Sequence, residues 1–385
     1  GEIIAGPALI IEKNSTNVIF NHWQVALLPN HSLLLTHCPP HDQKNEQASI
    51  QPNHSKTPLT PLPPPPVVSS PEGPDPIRLE IFNNLFMAIA EQMGQTLQNT
   101  AFSVNIKERL DFSCALFDAG GDLIANAPHI PVHLGSMADS VRALIKKEIP
   151  FQVGDSFLTN SPYHGGTHLP DITVINPVFV DGQLRFFVAA RGHHTDIGGI
   201  TPGSMPAMSH HIDQEGILFD GFPLIKNHQL QAACLQQRLD AGPHPARNPA
   251  QNFSDISAQL AANKKGEAEL QKICRHYGVA TVLAYMDFVK QQAAEEVRKV
   301  IRQLQPGQFS YAMDNGAVIN LVISVDHAAG TAIIDFHGTS PQQANNFNAP
   351  FAIVKSVVLY VFRTLVEKHI PLNEGCLTPI TLIVP

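Results

Sequence analysis

Histidine is the side chain that stands out for chemistry. The chain has 19, and eight lie between His129 and His211, where uniform scatter would place about four; imidazole is the commonest protein metal ligand and proton carrier near neutral pH. The densest part is NSPYHGGTHLPD followed by AARGHHTDIGG. His168 and Asp171 are three residues apart. The stretch between them and His193 reads as a β-hairpin, with Asp181-Gly182 at its turn. A hairpin returns the chain to its start, so His168 and Asp171 can face His193. Two imidazoles and a carboxylate converging from loops form an open metal site of nitrogen and oxygen ligands, which suits Zn²⁺, Mn²⁺ or Fe²⁺ without choosing among them. The same residues fit loop histidines that only hydrogen-bond, because a His-x-x-Asp pattern is short and common.

The surroundings favour a pocket rim. Gly165-Gly166 and Gly198-Gly199 permit left-handed backbone and close approach, and PGSMP at 202–206 reads as another tight loop. Upstream, HIPVHLGSM places His129 and His133 near a helix start, where an imidazole tends to stay neutral; a polar cap against the core is the plainer alternative. Downstream, DFHGTSPQQANNFNAP could offer amide hydrogen bonds to a cyclic amide or carboxylate, or be a solvated loop. Cys376 reads as a buried thiol rather than a nucleophile. No GxxxxGK[ST] phosphate loop is present, so any ATP would bind on another part of the protein.

The elements that must position these residues are mixed. From Pro76 to Leu97, apolar residues recur at three- and four-residue steps, with Asp75 as N-cap and Pro76 at the first helical position. Ser136 to Lys147, Asp255 to His276, Val279 to Leu304 and Ala352 to Glu367 also read as helices. SCALFDAGGDLIAN reads as a hairpin, and AVINLVISV, TAIIDFHG and ITLIVP as strands. With no regular βαβ repeat, the pattern predicts an α+β fold of layered mixed sheets rather than a doubly wound parallel sheet.

Residues 1–36 hold three β-rich runs (ALIIE, NVIF and SLLLT), too few to bury a core alone. Residues 37–75 are proline-rich and read as an extended linker. The main domain is 76–385. Gly1 opens with neither Met nor a secretory signal, and ITLIVP has no closing element, so both ends read as cut from a longer chain. The formal charge is −8 with no basic block, which argues against nucleic acid as a partner. No apolar run is long enough to span a membrane. Five widely spaced cysteines argue against a disulfide framework and for a reducing, cytoplasmic setting.

Taken together, SPYHGGTHLPDITVINPVF, RGHHTDIGGITPGSMP, HIPVHLGSM, DFHGTSPQ and IPLNEGCL resemble the hydantoinase B/5-oxoprolinase family, from about Asp75 to Pro385. The first 35 residues resemble the end of the hydantoinase A part that precedes the B part in fused members. The resemblance implies that an A part uses ATP and Mg²⁺ to phosphorylate the amide oxygen of a small cyclic substrate. The B part then opens the ring, giving L-glutamate from 5-oxo-L-proline, a step of glutathione metabolism. Related members act on hydantoins or N-methylhydantoins, or carboxylate ketones; a non-catalytic scaffold is the remaining alternative. The ketone-carboxylating relatives carry a metal on a His-x-x-Asp…His set that matches His168, Asp171 and His193. His194, Asp196 and His133 are then catalytic or orienting candidates, with Asp196 positioned to orient a ligating imidazole. His164, Gly165 and Gly166 are substrate-contacting candidates. A homo-oligomer is expected.

Overall fold

A computed structural model of the chain describes residues 3–5, 8–11, 16–19, 23–27, 33–37, 73–127, 130–133, 135–366 and 372–385. It divides into two compact units, Gly1–Leu62 and Pro63–Pro385. The first unit contains β1 (Ile3–Ala5), β2 (Ala8–Ile11), β3 (Thr16–Ile19), β4 (Trp23–Leu27) and β5 (Leu33–His37). A sheet in the order β1-β4-β5 and a β2-β3 pair are both antiparallel. The proline-rich linker expected at 37–75 lies almost wholly outside the described residues.

The second unit starts with α1 (Pro76–Thr100), capped as its sequence predicts: the Asp75 carboxylate accepts from the Ile77 amide at 3.0 Å, with Pro76 in the first turn. A short α2 (Val104–Lys107) leads into β6 (Phe112–Asp118) and β7 (Leu123–Asn126). Then come α3 (Ser136–Ile145), β8 (Ser156–Thr159), β9 (Asp171–Val180), β10 (Gln183–His193), β11 (Asp220–Lys226) and β12 (Gln229–Leu230). The strands build a seven-stranded antiparallel sheet in the order β12-β11-β8-β9-β10-β6-β7. The β9–β10 turn is Asp181-Gly182, both left-handed at φ 51° and 74°. Such a turn matches the twist of the strands it joins.

Both faces of this sheet are covered, which is why its central strands read as nearly continuous apolar runs. Cys114, Leu116, Val188 and Ala190 pack against α1, α5 (Pro249–Tyr277) and the first half of α6 (Val279–Ile301). Ala115, Phe117, Phe187 and Ala189 turn to the opposite face, against α3, the end of α6 and α7 (Phe351–Leu365). That layer also meets a second sheet of β13 (Gly307–Ala312), β14 (Val318–Asp326), β15 (Thr331–Asp335) and β16 (Ile380–Ile383), in which β16 runs parallel to β15. A third cluster joins Leu158, Ile172 and Val174 to Leu235 and Leu239 of α4 (Ala232–Leu239). The architecture is α+β, with helices layered on an antiparallel seven-stranded sheet and a second, mixed sheet.

Candidate metal centre

The hairpin does what its sequence implies. Asp171 opens β9 and His193 closes β10, and the two are directly paired across the strands. On the other side of β10, Gly192 pairs with Phe112 of β6, and the His193 amide donates to the Asp111 carbonyl at 3.0 Å. Asp171, His193 and Asp111 therefore form a row across three neighbouring strands. His168 joins from the loop before β9, where the Asp171 amide donates to its carbonyl at 3.1 Å.

Asp171 is fully buried and sits at the centre of this group. His168 Nδ1 is 2.9 Å from its Oδ2, His133 Nε2 is 3.1 Å from Oδ2, and His193 Nδ1 is 3.1 Å from Oδ1. The Thr167 hydroxyl also donates to Oδ2. Burial alone would raise the Asp171 carboxyl, but these imidazoles hold it well below the usual carboxylate range. Burial would lower the His168 imidazole, whereas its bond to Asp171 leaves it raised. His168 and His193 lie with ring centroids 4.9 Å apart. Ligand atoms of His168, Asp171 and His193 all fall within 4.8 Å of one another. A cation about 2.1 Å from two adjacent donors leaves those donors roughly 3 Å apart, so the spacing and chemistry of these side chains fit a divalent ion. His168 is 33% exposed, which leaves an open side for water or substrate.

The buried guanidinium of Arg191 lies beneath the group. It donates to Thr173 Oγ1 at 2.7 Å, Ser136 Oγ at 2.7 Å, Ser140 Oγ at 2.9 Å and the Gly165 carbonyl at 3.2 Å. Burial draws it down to about 10, against the pull of Asp171 and Asp139. Arg191 thus ties β9, β10, the start of α3 and the 161–168 loop into one block, and places a positive charge near Asp171.

The remaining expected site residues are distributed differently. His133 is in the group, buried, with Ser113 Oγ 3.0 Å from its Nδ1; His129 lies outside the described residues. His194 points away into the core. Asn252 donates to its Nδ1 at 3.1 Å, and its Nε2 meets Gln259 Oε1 at 3.1 Å. Burial lowers its basicity, and both ring nitrogens meet partners on α5. Asp196 does not orient an imidazole as expected. Its oxygens accept from the Gly198, Gly203 and Arg247 amides and the Arg247 guanidinium, which closes the 196–204 loop. His164 is half exposed and faces Asp220 Oδ1 at 3.1 Å.

Gly165 and Gly166 serve close packing. A Cβ on Gly165 (φ 85°) would meet the Ser140 amide nitrogen at 2.2 Å, and one on Gly166 the Ser161 carbonyl at 2.5 Å. The 335–350 loop docks by Asn346 on the Pro206 carbonyl at 2.6 Å and His210 on the Ala344 carbonyl at 2.6 Å. Cys376 is buried, and burial raises its thiol out of the reactive range.

Three contributors escaped sequence reasoning: Asp111, Arg191 and a polar seam on α5. Asn252, Asp255, Gln259 and Asn263 recur at helical spacing and are all buried. Gln259 donates to the Ile172 and Ala190 carbonyls at 2.8 Å each, and Asn263 to the Val174 carbonyl at 2.9 Å. That spacing, in a helix otherwise apolar on the same face, was the available signal.

Comparison with known proteins gives the family. The family model described as hydantoinase B/oxoprolinase matches residues 75–385. The chain belongs to the hydantoinase B/oxoprolinase family. It is 40% identical over 410 residues to 5-oxoprolinase 1 of Arabidopsis thaliana, covering 100% of this chain and 31% of that protein. To the 5-oxoprolinase of Saccharomyces cerevisiae it is 40% identical over 399 residues, covering 100% of this chain and 29% of that protein. The chain thus spans under a third of these relatives' length. Among solved structures, the ATP-dependent caprolactamase of Pseudomonas jessenii superposes with a TM-score of 0.72 at 25% identity, over 82% of this chain and 55% of that one.

Proposed function

We propose that this chain supplies the ring-opening portion of an ATP-dependent cyclic-amide hydrolase, converting 5-oxo-L-proline to L-glutamate. One observation carries the reading: Asp171, His193 and His168 converge beside an open face, in a chain 40% identical along its whole length to 5-oxoprolinases. In this account residues 1–36 close a hydantoinase A-like part, 37–75 link the two parts, and 76–385 form the hydantoinase B part.

An unactivated amide is a poor electrophile. The A part, with ATP and Mg²⁺, transfers the γ-phosphoryl group to the amide oxygen and releases ADP. Water adds at the activated carbon, the C–N bond opens with the nitrogen taking up a proton, and a further water releases phosphate. This chain's side chains shape the place where that happens. His168, Asp171 and His193 would hold a Mn²⁺, Zn²⁺ or Fe²⁺ ion, which supplies Lewis acidity and lowers the pKa of a water toward about 7. Thr167 donates to the Asp171 carboxylate and fixes it, as outer partners of a ligand do, and His133 faces the same oxygen. Arg191 and the two glycines hold the His164–His168 loop against α3. Assembly as a homo-oligomer and a cytoplasmic setting belong to the same reading, the latter supported by the odd, widely spaced cysteines.

The test is ATP-dependent release of glutamate from 5-oxoproline. The chain alone should show none, and activity should appear when the A part is supplied with metal. Asp171→Asn should abolish it. An inactive but complete, metal-loaded assembly contradicts the reading, and ketone-dependent incorporation of labelled bicarbonate would replace it with a carboxylase.

A further inference from the structure

Asp171 belongs to two ligand sets. Besides His168–Asp171–His193, ligand atoms of Asp111, His133 and Asp171 also lie within 4.8 Å of one another. We propose that the centre takes two divalent cations, with the Asp171 carboxylate bridging them and Asp111 and His133 completing the second position. The proposal rests on reading the first set as a cation site.

Four features support a second position. Asp111 is held rigidly at the strand row: its amide donates to the Asn105 carbonyl at 2.9 Å and its carbonyl accepts from His193. The preceding Leu110 is left-handed at φ 57°, a conformation that costs a non-glycine residue energy and tends to persist where surroundings enforce it. Among the described residues, the Asp111 carboxylate, thus fixed, makes its one ion-pair contact with His193 Nδ1 at 3.9 Å, and it lies within 4.8 Å of the His133 and Asp171 ligand atoms.

His133 has the arrangement of a ligating imidazole. Its Nδ1 lies 3.0 Å from Ser113 Oγ in the core. With Nδ1 donating to that hydroxyl, Nε2 is the ring atom left to meet a cation between His133 and the carboxylates; a partner on the other ring nitrogen is how metal-bound histidines are usually oriented. Asp111 immediately precedes β6 and Ser113 is its second residue, so one short segment supplies both the Asp111 carboxylate and the hydroxyl that meets His133.

Each set also has a solvent side and a buried side. His168 is 33% exposed in the first and Asp111 32% in the second, while Asp171 is buried in both. Each set therefore has one partly exposed ligand. The nearby Arg191 cation does not take up the bridging oxygens, because its nitrogens are bonded to Thr173, Ser136, Ser140 and Gly165. Carboxylate-bridged pairs with metals about 3.5–4 Å apart are a recurring device of hydrolases, clamping both the attacking and the leaving oxygen.

The test uses Mn²⁺ as the probe on the full chain, with stoichiometry from equilibrium dialysis and paramagnetic resonance as the second readout. Wild type should saturate at two ions per chain, with an exchange-coupled spectrum. Asp111→Asn, an isosteric change at a partly exposed position, should retain one ion and give the spectrum of an isolated one. His168→Ala should also retain one. Saturation of wild type at a single ion, or two ions retained by Asp111→Asn with the coupled spectrum, would overturn the second position while leaving the first intact. No bound ion at all would overturn both.

Discussion

Asp171 is a buried carboxylate met by three histidines and the Thr167 hydroxyl, and that makes it the most sensitive residue of the centre. Asp171→Asn keeps the shape but removes the charge and half the acceptors. We expect it to remain folded and lose its metal, measurable as loss of bound Mn²⁺. Arg191→Met removes a charged donor from Thr173, Ser136, Ser140 and Gly165, of which the Gly165 carbonyl keeps only the Ser140 hydroxyl. It should cost about 3–5 kcal/mol in chemical denaturation, the range for breaking a buried charged network from one side. Asp196 makes a pH-dependent contribution. Burial would raise its carboxyl, but the amides of Gly198, Arg247 and Gly203 and the Arg247 guanidinium hold it below its ordinary value. A depressed folded-state value means stability that is present above about pH 4, the unfolded value, and lost as pH falls through the folded one. Asp196→Asn should therefore cost about 1–3 kcal/mol at pH 7, and its melting temperature should converge with wild type in acid. His168, Asp171 and His193 were legible because a single hairpin joins them. Asp111 was not, because its place depends on β6 pairing with the far side of β10, a long-range register that no local pattern encodes.

At the level of elements, the centre is a consequence of register. A one-residue slip of β10 against β9 would turn His193 to the opposite face. The Asp181-Gly182 turn, readable from sequence, starts the pairing, and a bulge between Leu184 and Phe186 shifts it by one residue so that His193 meets Asp171. Gln259 of α5 secures it at the far end, bonding both the Ile172 and Ala190 carbonyls. Gln259→Ala strands those groups and His194 together, and should destabilise by about 2–3 kcal/mol, with faster amide exchange at the β9–β10 ends. Gly166→Ala has a separate cause: its new methyl would lie 2.5 Å from a backbone carbonyl that cannot retreat. We expect weakened metal binding as the 161–168 loop moves, detected in the same dialysis measurement. The long helices were readable from apolar periodicity and caps. Strands β8 and β11 were harder: one has only four residues, and the other carries Gly221 and Pro223, which obscure its pattern. The α5 seam was hidden for the opposite reason, since buried polar residues look like solvent-facing ones until their partners are known.

Across the molecule, the −8 formal charge goes with a few cations placed at structural joints. Arg191 supports the centre, while Lys355 and Arg142 pair with Asp139 and Glu374 between α3, α7 and the 374–377 turn. No helix of the described residues is long and apolar enough to cross a membrane. The family assignment covers the same residues that build both layers around the seven-stranded sheet, so the centre and the fold that positions it come as one unit. Whether the centre grips a cation decides the chemical account. The most direct measurement is elemental analysis of the purified chain after metal loading and dialysis, wild type beside His168→Ala and Asp171→Asn, with circular dichroism confirming that all three are folded. The account predicts a tightly held divalent metal in wild type, less in His168→Ala and none in Asp171→Asn. A folded wild-type chain that retains no metal would contradict it.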